Sequence, residues 1–308
     1  MSGPRRDGSP DVLEVRVPVA TLWTTPDAPR DLDRSAVADD PDVAGWTGSM
    51  DASVRKGLDG RTLTQLLLGE PVQVFEERGD WVHVRALWQP SSRDAAGYPG
   101  WLRRAHLGKP VLRTNGPTAW VMARSLRCDV ADGSRLELSC GTGLWVESVS
   151  ERTVDVLLPG DRRGTVPRPG VRLSRKEQRP EYDVAARFAT ARQFLGLRYL
   201  WGGTSAWGLD CSGLVHLTLR AHGRKVPRDA FDQAAAVEPV PLDEVRPGDL
   251  YFFARPGERV YHVGFVTRPV GEDGSRWMLH APESGELIED APLAPHRTET
   301  LVSAGRVG

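Results

Sequence analysis

The chain has 308 residues, about twice the length of a typical single domain, so two or three domains are expected. Its 40 Lys and Arg balance 41 Asp and Glu, and no run of like charges provides the electrostatic footprint of a nucleic-acid or membrane partner. Three cysteines without a CxxC pair exclude a disulfide framework, and reducing conditions fit them better.

The N-terminal half is predicted to form two small β-barrels in series. Residues 1–11 are polar and rich in Pro and Gly, which predicts a disordered leader without the apolar core of a signal peptide. No later stretch reaches the roughly 18 apolar residues of a membrane span, so we expect a soluble cytoplasmic protein. Alternating runs typical of strands occupy 12–19, 70–77 and 80–87, then 143–151, 153–160 and 164–173. We therefore expect a first barrel over 12–110 and a second over 111–178.

The segment 31–62 interrupts the first barrel. It is polar, and Trp46 and Met50 are isolated in it, which indicates a long loop or insertion rather than another regular element. A loop of this length is a candidate for contact with a ligand.

A mixed domain follows the second barrel. Apolar residues recur at helical steps from Val184 through Phe188 and Ala191 to Leu195, and a second helix should begin at Cys211. Strands return at 248–254, 259–267 and 276–282. Helices followed by an antiparallel sheet predict an α+β domain over 179–308.

The most informative residue is Cys211, where a loop rich in Gly and aromatic residues leads into an amphipathic helix. Unpaired N–H groups at a helix N-terminus stabilise a thiolate, so we expect a lowered thiol pKa and a contribution to an oxyanion hole. Asp210 cannot activate the thiol, because a neighbouring anion raises the thiol pKa. We expect it to cap the helix or to bind a cation of the substrate.

A cysteine nucleophile needs a base, and the strand at 259–267 supplies His262. Gly264, on the same face, leaves room beside the imidazole. The connection at 268–276 predicts a hairpin that brings His280 of the next strand within reach of His262. A hydrogen bond from a third group sets the tautomer and orientation of a base, so these two histidines and the cysteine are predicted to act together.

The motifs DCSG at 210–213, GDL at 248–250 and HVGFV at 262–266, with a histidine in the following strand, resemble the NlpC-type family of papain-like cysteine peptidases. GDWVHV at 79–84 and YPGWL at 98–102 resemble a bacterial Src-homology-3-like barrel. The resemblance implies a multidomain fold, with two small all-β bacterial Src-homology-3-like barrels followed by an α+β papain-like cysteine peptidase domain. It also implies hydrolysis of peptides of bacterial cell-wall murein, with no cofactor and no metal.

The arrangement is similar to the γ-D-glutamyl-L-diamino acid endopeptidases, which process free murein peptides with an N-terminal L-Ala in the cytoplasm. In that subgroup the first barrel closes one side of the cleft and, together with residues beside the nucleophile, holds the free amine of the N-terminal L-Ala. On this resemblance Cys211 is the nucleophile, His262 the base and His280 the third polar residue. The substrate-binding positions that it implies are Glu70, Tyr98, Tyr199, Asp210, Ser212, Arg228 and Asp229. Ala230 stands where we expect a serine in relatives, so one hydrogen bond to the substrate should be absent.

Other interpretations stay open at the level of the sequence. Cys211, His262 and His280 are an acceptable zinc ligand set without tight pair spacing, and Ser212 is an alternative nucleophile beside the thiol. Structural roles are expected for Cys128, Cys140, Trp81, Trp101, His83, His106, His216, His222 and His296. Two alternative functions are an exported hydrolase of polymeric wall, with the barrels as wall-binding modules, and a non-catalytic murein-peptide binding protein. The choice between lysine and diaminopimelate and the oligomeric state are left undecided.

Overall fold

The computed structural model describes residues 12–112, 116–174 and 183–308. The disordered leader predicted for residues 1–11 therefore lies outside the described residues. Two seven-stranded sheets, one six-stranded sheet and a two-stranded ribbon organise the chain. Over the described ranges, no helix combines the length and the apolar character needed to cross a membrane.

The first barrel is built from seven antiparallel strands. They are β1 Val12–Val15, β2 Val19–Trp23, β3 Thr62–Leu67, β4 Pro71–Arg78, β5 Trp81–Ala86, β6 Tyr98–Arg103 and β7 Leu107–Gly108, with a 3-10 turn at Arg104–His106. Their order in the sheet is β3-β2-β6-β5-β4-β1-β7. Along β5, Val82, Val84 and Ala86 are buried and the residues between them are half-buried, so the period-two pattern of the sequence defines the inner face.

The segment between β2 and β3 is helical, and the prediction of a loop without regular elements at 31–62 is therefore wrong. The elements are a 3-10 turn at Asp31–Asp33, α1 Arg34–Val37, α2 Val43–Gly48 and α3 Ala52–Lys56. The side chains of Asp42 and Asp51 cap α2 and α3. Trp46 and Met50 are not isolated, because both are buried in the core that the insertion shares with the C-terminal domain. Residues 31–61 are called the helical insertion below.

The second barrel repeats the topology of the first. Its strands are β8 Thr118–Val121, β9 Ser125–Val130, β10 Arg135–Ser139, β11 Gly143–Val149, β12 Thr153–Leu158, β13 Arg162–Pro167 and β14 Val171–Ser174, with a 3-10 turn at Arg168–Gly170. The sheet order β10-β9-β13-β12-β11-β8-β14 is that of the first barrel with every strand number raised by seven. The prediction of two barrels in series is confirmed.

The C-terminal domain has helices before an antiparallel sheet, as predicted. Its elements are α4 Val184–Arg192, β15 Thr204–Ser205, β16 Gly208–Leu209, α5 Cys211–Ala221, α6 Ala230–Ala236, β17 Glu238–Val240, β18 Leu250–Phe253, β19 His262–Val266, β20 Trp277–His280, β21 Glu289–Pro292, α7 Pro295–Thr300 and β22 Leu301–Arg306. The six-stranded sheet has the order β17-β22-β18-β19-β20-β21. The first helix ends at Arg192, so Leu195 lies beyond it and is exposed, contrary to the predicted spacing.

Both barrels pack against the C-terminal domain. The carboxylate of Glu70, fully buried at the end of the first barrel's β3–β4 turn, forms an ion pair with Arg220 of α5. At the second barrel, a Cβ on Gly141 would lie 2.5 Å from Leu217 Cδ1, so the turn after β10 approaches α5 as closely as a glycine allows. The hydroxyl of Ser139 accepts a hydrogen bond from the N–H of Ala206 at 2.9 Å. Helix α5 is therefore held from two sides.

Candidate active site

Cys211 is the first residue of α5, as the sequence predicted. Asp210 caps the helix, and its carboxylate accepts the N–H of Gly213 at 2.6 Å. A Cβ on Gly213 would lie 2.1 Å from the carbonyl oxygen of Gly203, so the loop before the cysteine packs directly onto the first turn of the helix. The helix itself is buried along its whole length, which holds the thiol in one position.

The thiol of Cys211 contacts two backbone N–H groups, from Ser212 and from Val263 of β19. Both lower its pKa, in the direction predicted for a helix N-terminus. Burial has the larger effect, however, and together with the Asp210 carboxylate it raises the pKa of the thiol to about 12. The prediction of a net lowered thiol pKa is therefore wrong for the free enzyme, in which the neutral thiol predominates.

His262 lies in β19 next to Val263, whose N–H contacts the thiol, and it bonds to His280 on the neighbouring strand. The distance from His262 Nε2 to His280 Nδ1 is 2.8 Å, and the two rings meet edge to face. Strands β19 and β20 pair antiparallel, as the predicted hairpin requires. Burial, Arg297 and His280 lower the pKa of His262 well below its usual range, and burial lowers the pKa of His280 to about 3. Both imidazoles are therefore neutral at neutral pH.

Gly264 makes the approach of the two histidines possible. A Cβ at this position would lie 2.5 Å from Met278 Cγ and Sδ and 2.8 Å from His280 Cβ. All three distances are shorter than van der Waals contact, so a side chain here would displace His280. Gly264 was expected to leave room beside the imidazole of His262. In the structure, the space that it leaves is filled by Met278 and His280.

Arg228 ties Asp210 and Ser212 into one buried network. Its Nη1 donates to Asp210 Oδ1 at 3.0 Å and to the Ser212 hydroxyl at 2.9 Å, and its Nη2 donates to Asp210 Oδ2 at 2.6 Å. Its Nε donates to Thr64 of the first barrel at 2.8 Å. Arg228 is 1% exposed, and although burial opposes its charge, Asp210 raises its pKa. The Asp210 carboxylate also accepts the N–H of Gly202, so few of its lone pairs are left for a substrate.

Tyr98 brings the first barrel to the next residue, Asp229. Its hydroxyl donates to the Asp229 carboxylate at 3.0 Å, and burial and Asp229 raise its pKa, which keeps the phenol protonated. Arg93, also in the first barrel, donates to the same carboxylate at 3.2 Å and is about half exposed. The Asp229 carboxylate is 15% exposed and faces the junction of barrel and peptidase domain.

The helical insertion reaches Tyr199, in the loop before Cys211. Arg55 of α3 is buried and donates to the carbonyl oxygen of Tyr199 at 3.2 Å. Tyr199 is itself buried, and its pKa is raised by burial and by the charges of Cys211, Asp210 and Asp59. Asp59 follows α3, accepts a hydrogen bond from Ser284 at 2.9 Å and has a pKa raised by burial. Asp59 was not predicted from the sequence, where it looked like one of many loop acids.

Six of the seven predicted substrate-binding residues thus lie around the N-terminus of α5. The seventh, Glu70, does not lie there. Its carboxylate is occupied by Arg220, by the N–H of Leu67 at 2.8 Å and by Gln89 at 3.2 Å. A fully buried carboxylate with this set of partners joins the barrel to α5 and has no face for a ligand. The assignment of Glu70 to substrate binding is therefore wrong.

The alternative chemistries lose support. The Ser212 hydroxyl accepts from Arg228 and donates to Asp210 at 3.3 Å, which leaves it no base. Within the described ranges, no group of three or more His, Cys, Asp or Glu side chains is arranged to hold a metal ion. Cys128 and Cys140 are buried free thiols whose pKa values burial raises to about 11 and about 12. Among the other histidines, His216 is buried and bonds to the carbonyl oxygen of Val226.

The domains match known protein families. The sequence model of the NlpC/P60 family matches residues 196–306, and that of the bacterial dipeptidyl-peptidase Sh3 domain matches residues 54–107. A gamma-D-glutamyl-L-lysine dipeptidyl-peptidase of Bacillus subtilis is 35% identical over 295 residues, which cover 92% of this chain and 93% of that protein. A protein of the same name from Bacillus cereus is 32% identical, covering 95% of this chain and 90% of its own length. The crystal structure of an NlpC/P60 family protein from Bacillus cereus has a TM-score of 0.90 and 31% identity, covering 96% of this chain and 99% of that one.

Proposed function

Because this chain belongs to the NlpC/P60 family of cysteine peptidases, we propose that it releases a dipeptide from free murein peptides by hydrolysing the γ-D-glutamyl-L-diamino acid bond. The chain is a hydrolase, and the names of its two Bacillus relatives specify γ-D-glutamyl-L-lysine and a dipeptidyl-peptidase activity. The substrate that we propose is L-Ala-γ-D-Glu followed by an L-diamino acid, with the amine of L-Ala free. We place this recycling role in the cytoplasm as part of the same proposal.

In the proposed reaction, the Cys211 sulfur attacks the γ-carbonyl carbon of D-Glu while His262 takes the thiol proton. N–H groups at the start of α5 stabilise the oxyanion that forms. The C–N bond then breaks, and the proton on His262 passes to the leaving α-amine of the diamino acid. Water attacks the resulting thioester with His262 as base, which releases L-Ala-γ-D-Glu and restores the thiol.

The observation that carries the free-amine specificity is a pair of carboxylates where the peptidase domain meets the first barrel and its insertion, Asp229 of the peptidase domain and Asp59 of the insertion. Asp229 lies against Tyr98 of the barrel, and Asp59 of the insertion lies near Tyr199 beside the nucleophile. Asp59 is an exposed residue whose pKa is raised by partial burial, while the hydrogen bond from Ser284 and the charge of Lys56 lower it, so its carboxylate is accessible to a further cation. A bound ammonium would form a favourable charge pair there, which an acylated amine cannot form.

The same carboxylates are the reason that we expect the intact bacterial cell wall to be a poor substrate. Carboxylates that bind the charged terminus of a short peptide disfavour a peptide whose amine is acylated. A hydrogen bond between charged groups contributes about 1.5–3 kcal/mol, so loss of the ammonium should slow cleavage by about 10- to 100-fold. The enzyme therefore acts on released peptides and not on the polymer.

The test is mass spectrometry of the products from L-Ala-γ-D-Glu-L-Lys and from its N-acetylated form. We expect kcat/KM to be about 10- to 100-fold higher for the free peptide than for the acetylated one. Asp59→Asn should lose most of this preference, whereas Asp31→Asn, at a highly exposed position of the same insertion, should keep it. Equal cleavage of both peptides would support the peptidase activity and contradict the proposed recognition of a free amine. Cleavage of neither would contradict the proposed substrate.

A further inference from the structure

A cavity of about 460 Å³ lies beside His280, on the C-terminal domain. Its lining includes His280, Glu289 of β21 and Arg297 of α7. Strands β20 and β21 pair antiparallel with His280 directly opposite Glu289. The distance from His280 Nε2 to Glu289 Oε1 is 3.4 Å, so the carboxylate is the acidic neighbour of the ring nitrogen that His262 does not use. The cross-strand register therefore places a carboxylate behind the third residue of the site.

The two histidines leave only one productive arrangement of their protons. To take the thiol proton, neutral His262 must keep the Nδ1 lone pair free and carry its own proton on Nε2. That N–H then donates to Nδ1 of His280 across the 2.8 Å contact. His280 must in turn carry its proton on Nε2. The opposite tautomer of His280 would donate to His262 Nε2, move the proton of His262 to Nδ1 and leave no base for the thiol.

We propose that Glu289 is a positioning residue that accepts the Nε2–H of His280 and thereby selects the tautomer in which His262 can act as a base. The contacts run from Glu289 through His280 to His262, the base that we assign to the Cys211 thiol. The effect of Glu289 on the base passes through its contact with His280.

The charges around the pair are consistent with a choice between neutral tautomers. Burial lowers the pKa of both histidines, Arg297 and His296 of α7 lower that of His280 further, and Arg297 also lowers that of His262. The Glu289 carboxylate is 53% exposed, so it keeps its hydration and remains a hydrogen-bond acceptor without a large desolvation cost. The ring of His280 stays neutral while its Nε2–H has an anionic acceptor on one side.

The experiment separates acceptance of a hydrogen bond from charge. Glu289→Gln keeps an acceptor oxygen, whereas Glu289→Lys offers only donors and favours the unproductive tautomer. Glu286→Lys makes the same charge change in the lining of the same cavity and is the matched control. We expect kcat on L-Ala-γ-D-Glu-L-Lys to fall about 10- to 100-fold in Glu289→Lys with KM little changed, since a base held in the wrong tautomer loses up to about 10⁴. Glu289→Gln and Glu286→Lys should stay within about threefold of the wild type.

The tautomer itself is measured by two-dimensional ¹H–¹⁵N NMR of the histidine rings, with His280→Asn used to assign the signals. We expect Nε2–H on His280 in the wild type and a shift toward Nδ1–H in Glu289→Lys only. An unchanged tautomer in Glu289→Lys, or a Gln variant as slow as the Lys variant, would overturn the inference. The rates rest on the proposed function, but the NMR measurement needs no substrate. An inactive wild type with the expected tautomer would therefore contradict the substrate and not Glu289.

Discussion

Substitution of Gly264 by alanine tests how tightly the third residue must be placed. The new Cβ would lie 2.8 Å from His280 Cβ, and ordinary contact begins near 3.4 Å, so His280 must move by roughly 3.4 − 2.8 = 0.6 Å. The His262–His280 hydrogen bond, now 2.8 Å, would lengthen to roughly 3.4 Å, beyond the range of a good hydrogen bond. Overpacking of this kind costs about 1–3 kcal/mol of folding free energy.

The activity should fall further than the stability. A displacement of about 1 Å in a catalytic group costs up to about 10²-fold in rate, and the expected loss in kcat is about 10- to 100-fold with the substrate KM little changed. The assay combines steady-state hydrolysis of the peptide with thermal unfolding of the same preparation. Gly48→Ala is the control, because a Cβ at Gly48 meets nothing within 4 Å. A Gly264→Ala enzyme with wild-type kcat would refute the reasoning.

Three further predictions concern buried ionisable groups. Arg220→Met should lower the free energy of unfolding, measured with urea, by about 3–5 kcal/mol, because it leaves the Glu70 carboxylate buried without its cation. Adding Glu70→Gln should restore most of the lost stability. A loss below about 1 kcal/mol in Arg220→Met would contradict this prediction. Since burial raises the pKa of the Cys211 thiol to about 12, its alkylation by iodoacetamide, followed by peptide mapping, should accelerate about tenfold per pH unit between about pH 7 and 9. A rate independent of pH in that range would indicate a preformed thiolate. Arg228→Lys keeps the charge but loses the bidentate contact with Asp210, so KM should rise about tenfold. An unchanged KM would show that the Arg228 network does not contribute to substrate binding.

The parts of the fold that the sequence predicted are those governed by local pattern. Period-two alternation identified strands such as β5, and the loop rich in Gly before Cys211 marked the start of α5. The hairpin between β19 and β20 followed from two strand-like runs with a Gly-containing connection, and it placed His280 next to His262. These signals need only neighbouring residues, so a single sequence is sufficient to read them.

The helical insertion was missed because its helices are shorter than a periodic pattern requires. α1, α2 and α3 have 4, 6 and 5 residues, at most two turns, so apolar residues such as Trp46 have no repeat that would reveal a helix. The available signals were the capping residues Asp42 and Asp51, each of which precedes a short helix. The burial of the insertion depends on the peptidase domain, which no local pattern contains.

The remaining differences arise from contacts across domains. Glu70 looked available because nothing in the sequence pairs it with Arg220, 150 positions away. The thiol of Cys211 looked acidic because its helix position is visible in the sequence, whereas the burial that outweighs the amides is not. Asp59 and Glu289 owe their places to the insertion and to a cross-strand register, so only the assembled structure brings them to the site.

The most direct test of the cysteine peptidase mechanism compares the wild type with Cys211→Ala on L-Ala-γ-D-Glu-L-Lys. Mass spectrometry follows the release of L-Ala-γ-D-Glu, and calorimetry measures binding of the intact peptide to the variant. We predict dipeptide release by the wild type, no release above background by Cys211→Ala, and retained binding by that variant. Continued release by Cys211→Ala would contradict the assignment of the nucleophile and with it the mechanism built on α5.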